Sequence, residues 1–277
     1  MDKCSYFIKN KAIFGGYPEQ NTVDEFEKLG VRYFIDLTHS NESKITPYIT
    51  NFTYINYPIT DHYIPTDLFS FSKFITRVCK IISNLNDKEL AFIHCKGGHG
   101  RSGVVVAAVL CYIFKLTPKE SLEYTNRCHG KRLIMKDKWR KIGSPQTFLQ
   151  KRFVYKFFEN LLFNRYNTYG LSIYTESPIN VPELGIFNSA DEALQEYNKQ
   201  FDTDTLDEYK NMKYILKLKF EQNEEIKKNL LNTGLRPIIY YTKNDNFWGI
   251  VTNENSGENI LGKILSEIRH EYYEKEL

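Results

Sequence analysis

Apolar residues fall into short runs in the first half of this chain and into helix-spaced stripes in the second. Residues 12–15 and 90–93 are apolar runs, and residues 31–37 alternate β-branched or aromatic residues with polar ones, so each predicts a strand. Residues 52–59 predict another. Residues 22–29, with Thr22 or Asn21 as cap and Gly30 as stop, predict a helix, as do residues 66–85. Residues 104–114 are the longest apolar run and predict a buried helix. Thr117 and Pro118 supply the cap and first position of a helix ending near Gly130, and Ser144-Pro145 opens a long helix to about Asn164. Strands alternating with helices predict an α/β sheet.

The helical pattern stops at residues 163–169, and Gly170 and several prolines follow, which predicts domains at 1–164 and 165–277. Beyond this boundary Ser189 caps a helix with carboxylates in its first turn. Residues 204–220 place Tyr209, Met212, Ile215, Leu216 and Phe220 on one stripe. Residues 224–231 predict a short helix ending at Gly234, residues 237–242 a strand, and residues 259–273 a closing helix. The expected second domain is smaller, α+β and mainly helical.

At 277 residues the chain accommodates two modest domains. Its 42% apolar and 26% charged residues are ordinary for a globular protein, and a net charge of +3 argues against a dedicated polyanion-binding tail. Five cysteines, an odd number without metal-like spacing, together with no signal segment and no run long enough to span a bilayer, predict a reducing, cytoplasmic setting.

The chemistry concentrates in His94-Cys-Lys-Gly-Gly-His-Gly-Arg-Ser-Gly103, between the strand at 90–93 and the helix at 104–114. A strand, a glycine-rich turn and a helix aim backbone N–H groups at one point and make an anion trap. Cys95 at its mouth is the expected thiolate nucleophile. Arg101 grips two phosphate oxygens as a planar fork. Gly97, Gly98 and Gly100 let the backbone curl around the anion, and Ser102 donates to the sulfur. Lys96 and His99 read as two further cations beside His94. The basic run 131–141 reads as a solvated face.

This string resembles the His-Cys-x-x-Gly-x-x-Arg-Ser/Thr signature of the cysteine-dependent protein tyrosine and dual-specificity phosphatases. The resemblance extends to Phe14-Gly-Gly-Tyr-Pro18 and to the stretch from Gly30 to Thr38. It implies an α/β domain with a central, mostly parallel sheet flanked by helices and the loop at the carboxyl edge. Asp61, in Asp-His-x-x-Pro, is similar to the family's general acid, whereas Asp67 reads as a helix-start carboxylate. Gln146 and Gln150, in Gln-Thr-x-x-Gln-x-x-Phe, are expected one helical turn apart, with Gln146 orienting the water that hydrolyses a phosphocysteine. No metal or cofactor is implied. A phosphorylated protein is the favoured substrate; Lys96 and His99 keep a phosphoinositide or an RNA 5′-phosphate, and so a nucleic acid, open as alternatives.

In the second half, Lys219-Phe, Leu230-Leu-Asn-Thr-Gly234, Asp245-Asn-Phe-Trp-Gly249 and Gly257-Glu-Asn-Ile-Leu-Gly262 resemble the NADAR family, as do Ser177-Pro-Ile and Ser189-Ala-Asp-Glu192. That resemblance implies an ADP-ribose-type ligand and hydrolysis of an N-glycosidic bond. It makes Glu192 and Asp245 the candidate catalytic carboxylates, with Trp248 and Asn259 shaping the pocket. The alternative is an inert binding module that recruits substrate.

Overall fold

The computed structural model describes residues 2–166, 169–182, 184–201 and 205–275. The chain divides after Phe158 into two compact units.

The first unit runs β1 (Ser5–Ile8), β2 (Ala12–Gly15), α1 (Gln20–Lys28), β3 (Val31–Asp36), β4 (Thr53–Asn56), α2 (Leu68–Asn84), β5 (Leu90–His94), α3 (Arg101–Phe114), α4 (Pro118–Gly130), α5 (Asp137–Ile142) and α6 (Phe148–Phe157). Its sheet has the order β1-β2-β5-β3-β4 and is parallel except for the edge strand β1. β5 is central and wholly buried, so its carboxyl end opens between β2 and β3, where open α/β sheets place their ligands. α3 carries valines at 104–106 and 109, which are weak helix formers. Burial overrides that preference, since every residue from Arg101 to Cys111 is buried. Each such apolar side chain contributes about 1.5–3 kcal/mol. A Cβ at Gly103 would lie 2.2 Å from Ser144 Oγ, so a glycine brings α3 against the turn before α6.

Two helix ends differ from expectation. α1 begins at Gln20, and Asn21 accepts only the N–H of Thr22, so neither Asn21 nor Thr22 is the cap. The helix expected from residue 144 to 164 runs only over Phe148–Phe157. Thr147 and Gln150 close a capping box at its start, which fixes the entry three residues later.

The second unit comprises β6 (Leu161–Phe163), β7 (Ile179–Val181), β8 (Gly185–Phe187), α7 (Ala190–Phe201), α8 (Thr205–Gln222), α9 (Glu224–Asn232), β9 (Ile238–Thr242), β10 (Ile250–Val251) and α10 (Ile260–Lys275). β10-β9-β6 form a parallel sheet and β7-β8 an antiparallel pair. Residues 161–163, expected as helix, gain their hydrogen bonds from β9 instead. Met212, Ile215, Leu216 and Phe220 of α8 pack with Leu261, Ile264, Leu265 and Ile268 of α10 into one core, with Tyr209 at its margin. Asp204 lies outside the described residues. Among the described residues, no helix is long and apolar enough to cross a membrane.

Candidate active site

The loop of residues 95–100 joins the end of β5 to the start of α3 at the carboxyl edge of the sheet. Gly98 has φ +73, and a Cβ there would sit 2.4 Å from the carbonyl carbon of Gly15, so only glycine fits. Cys95 is 2% exposed, and its Sγ lies 3.6 Å from Ser102 Oγ. The backbone N–H groups of residues 96–102 donate to no described residue. Such a row of amides at a helix start is an anion cradle. All five cysteines are free thiols.

Arg101 is 1% exposed and its fork is heavily engaged. Nη1 donates to the carbonyls of Ile59 at 2.9 Å and Leu37 at 3.3 Å. Both terminal nitrogens donate to the Glu42 carboxylate, Nη2 at 3.0 Å. Nη2 also lies 3.0 Å from Asp61 Oδ1. Burial opposes its charge, but the Glu42 hydrogen bond and the charges of Cys95, Asp61 and Glu42 outweigh this and raise its pKa. Nε–H has no partner among the described residues. Sequence reasoning missed Glu42, because one carboxylate in a polar loop looks like any solvated residue. Burial would raise the Glu42 pKa, yet the hydrogen bonds from Arg101 and from the His39 N–H, with the positive charges nearby, hold it below the usual carboxylate range.

Asp61 lies beside Arg101, with its side chain 47% exposed. Its loop is tied down twice: Arg101 holds Ile59 O, and Gln150 Nε2 donates to Tyr63 O at 3.1 Å. Gln150 is fully buried, and a Cβ on Gly100 would come within 2.9 Å of its amide. Gln146 precedes the cap of α6, so the two glutamines do not share a helical face as expected, and Gln150 is the one against the loop.

Two loop residues expected to meet phosphate do not face it. His94 is wholly buried, with Nε2 2.7 Å from Tyr48 OH, and burial pushes its pKa down to about 4. It anchors the end of β5. His99 Nδ1 lies 2.8 Å from His129 Nε2, and its ring stacks on Trp139. Burial and then Arg132 push His99 down to about 4, so it is not the extra loop cation that was expected. The missed cation is Arg132. It lies in the run read as solvated, yet is 3% exposed. It donates to Gly98 O at 2.8 Å and Phe14 O at 3.2 Å, with its guanidinium over the Phe14 ring. Burial lowers its pKa to about 10, so it stays charged at neutral pH beneath the loop.

In the second unit a cavity of about 660 Å³ is lined by Arg165, Tyr174, Glu176, Asn188, Asp191 and Glu192 among others. Arg165 stacks over Tyr174 at 4.0 Å. Glu192 accepts from Asn188 N–H while its own N–H donates to Ser189 Oγ, so it also serves as a helix-start residue. Its neighbour Asp191, overlooked in sequence, has its carboxyl pKa raised by burial against the opposing pull of Arg165. Adjacent helical residues point about 100° apart, and sequence alone does not say which faces a pocket. Asp245 caps a turn, accepting from the N–H groups of Phe247 and Trp248. Asn259 accepts from Tyr240 N–H and donates to Ile238 O, clipping α10 to β9, while Trp248 packs on the core. Neither Trp248 nor Asn259 lines this cavity, in contrast to expectation. Buried Lys219 donates to Ser172 O at 2.6 Å, and burial lowers its pKa to about 7.

Comparison with known proteins agrees with both halves. The family model for the dual specificity phosphatase catalytic domain matches residues 12–143, and that for the NADAR domain matches residues 131–272. The stretch 131–158 nevertheless belongs structurally to the first unit. "Putative tyrosine phosphatase 197R" of Invertebrate iridescent virus 6 is 32% identical over 286 residues, covering 98% of this chain and 95% of its own length. "Putative tyrosine phosphatase 067L" of Invertebrate iridescent virus 3 is 38% identical over 166 residues, covering 58% of this chain and 68% of that relative. "N-glycosidase R617" of Acanthamoeba polyphaga mimivirus is 38% identical over 65 residues, covering 20% of this chain and 38% of that protein. The chain belongs to the tyrosine and dual-specificity phosphatase family of hydrolases, with a NADAR domain in its second half.

Proposed function

We propose that the first unit hydrolyses phosphomonoesters through a phosphocysteine, with a phosphorylated protein as substrate. Cys95 attacks phosphorus as thiolate while Arg101 and the loop amides hold the equatorial oxygens. Asp61 leaves Arg101 Nη2 and protonates the departing oxygen. In the second step water attacks phosphorus and Asp61 takes its proton. Gln150, packed on Gly100, positions that water with help from Gln146, and Ser102 stabilises the leaving sulfur. The carrying observation is the set of donors around Cys95 that lack partners, the buried Arg101 Nε–H above all. Buried donors are nearly always satisfied, so this set is matched to an anion. A cytoplasmic, reducing setting suits such a thiolate.

Cys95→Ser should abolish turnover of an aryl phosphate while keeping phosphate affinity, and retained turnover would sink the assignment. Asp61→Asn should lose most where the leaving group is a poor one, such as an alkyl phosphate. Phosphoinositide or RNA 5′-phosphate substrates are less favoured, because His99 turns away and is neutral, and Arg132 is spent on the carbonyls of Gly98 and Phe14, leaving Lys96 as the added charge in the loop itself. A panel of phosphotyrosine, phosphothreonine, phosphoinositide and 5′-triphosphate RNA decides among them.

The second unit is assigned an ADP-ribose-type ligand in the cavity between Arg165 and Asp191, with Asp191 and Glu192 acting on an N-glycosidic bond. Asp191→Asn should lose release from ADP-ribosylated guanine more severely than Asp245→Asn. Wild type that binds ADP-ribose but releases nothing makes this unit an inert recruiting module instead.

A further inference from the structure

Between the edge strand β1 and the end of α4 lies a cavity of about 470 Å³, the size of a small-molecule site. Phe7, Ile13, Tyr124 and Leu133 give it an apolar lining. Cys4 and Cys128 extend that lining. Burial raises both thiol pKa values, that of Cys4 to about 11, and a neutral thiol behaves as a small hydrophobe. Lys9 and Lys131 also line the cavity; both are exposed, and neither ammonium forms an ion pair with a described residue. Asp2 on the same wall cancels one of these charges, but Lys3 is close enough to act on the Cys4 thiol and restores the balance. An apolar lining with surplus positive charge suits a ligand that has an apolar body and an anionic head.

The segment after α4 joins this cavity to the catalytic loop. Lys131 and Leu133 line the cavity, whereas Arg132 between them is buried and donates to Gly98 O and Phe14 O. Ile13, also on the wall, directly precedes Phe14. We infer that the cavity binds a medium-chain anionic amphiphile, with Lys9 and Lys131 meeting its carboxylate and Phe7, Ile13 and Leu133 its chain, and that occupancy steadies Arg132 under the catalytic loop. The site stands without the phosphatase reading, and only its coupling to phosphate rests on that reading. A ligand that orders the segment carrying Arg132 also fixes Gly98, so amphiphile and phosphate favour each other's binding, reciprocally.

Isothermal titration of the full chain with decanoate, kept below its micelle concentration, should show saturable binding at one site. Decanol, which lacks the charge, should bind about three- to tenfold more weakly, the worth of one or two exposed ion pairs. Lys131→Glu should weaken decanoate and spare decanol. Leu133→Asp should abolish saturable binding of both; Leu133 is 79% exposed, so this variant should unfold at the wild-type temperature. Saturating inorganic phosphate should tighten decanoate about fivefold, and decanoate should tighten phosphate by the same factor. Absence of saturable decanoate binding, equal affinity for decanoate and decanol, or binding that survives Leu133→Asp overturns the site. A decanoate affinity indifferent to bound phosphate overturns the coupling. If phosphate binds nowhere on the chain, the phosphatase reading itself has failed, and decanoate against decanol still judges the cavity.

Discussion

Glu42 holds the arginine to which we assign phosphate binding, and Glu42→Gln isolates that service because the side chain keeps its shape and loses its charge. In the structure its carboxylate takes hydrogen bonds from both terminal nitrogens of a guanidinium that is almost wholly buried. Removing one partner of a buried ion pair costs about 3–5 kcal/mol when the other is left uncompensated. Arg101 keeps Asp61 and two carbonyl acceptors, so the expected loss is nearer about 2 kcal/mol, the value of a charged hydrogen bond. For a domain of this size that lowers Tm by roughly 4–8 °C. A guanidinium released by a fraction of an ångström also orients phosphate poorly, so kcat should fall on the order of tenfold to a hundredfold. The pH dependence has a definite sign. Glu42's pKa is depressed in the fold, so its stabilisation is complete above the unfolded carboxylate pKa and disappears as pH falls through the folded one. Wild type and Glu42→Gln should differ at pH 7 and converge in strong acid. Thermal unfolding and aryl phosphate kinetics across pH provide the measurements. Equal Tm and equal kcat at pH 7 would refute the reasoning.

Gly98→Ala forces a side chain into φ +73 and against Gly15, so phosphate binding and kcat/KM should fall at least a hundredfold, with Cys95 still titratable by a thiol reagent. Arg132→Met leaves the carbonyls of Gly98 and Phe14 without their donor, which should cost about 1–3 kcal/mol in thermal or urea unfolding. Lys219 has a pKa near 7 in the fold against about 10.4 unfolded, so the unfolded chain binds more protons between those values and stability rises with pH there. The slope approaches about 1.4 kcal/mol per pH unit at most and should vanish in Lys219→Met, followed by unfolding from pH 7 to 9.

The periodic elements were legible because their burial is one-sided or complete: α3, β3, β5 and the α8 stripe follow directly from hydrophobic spacing. Cys95, Arg101 and the glycines were legible for a different reason, since a tight loop around an anion leaves few chemical choices. Contacts between distant segments were not. Glu42 meets Arg101 across 59 positions, and Arg132 reaches Phe14 across 118, and neither leaves a local signature. The same limitation misassigned His99, which looks cationic in a glycine-rich string but finds His129 and Trp139 on the far side. β6 escaped notice because three apolar residues after a helix resemble more helix until β9 is there to pair with them.

The neutrality of the buried histidines bears on how the enzyme's rate should be read. His94, His99 and His129 are all held far below neutrality, chiefly by burial. The charge beside the sulfur comes instead from Arg101, whose pKa is raised, and Arg132, whose pKa stays at about 10. Limbs of a pH–rate profile between about pH 5 and 8 therefore report on the nucleophile, the general-acid loop or the substrate's own phosphate. The scaffold behind the loop contributes none of them, so a kinetic titration of this enzyme is a view of its chemistry with a silent background.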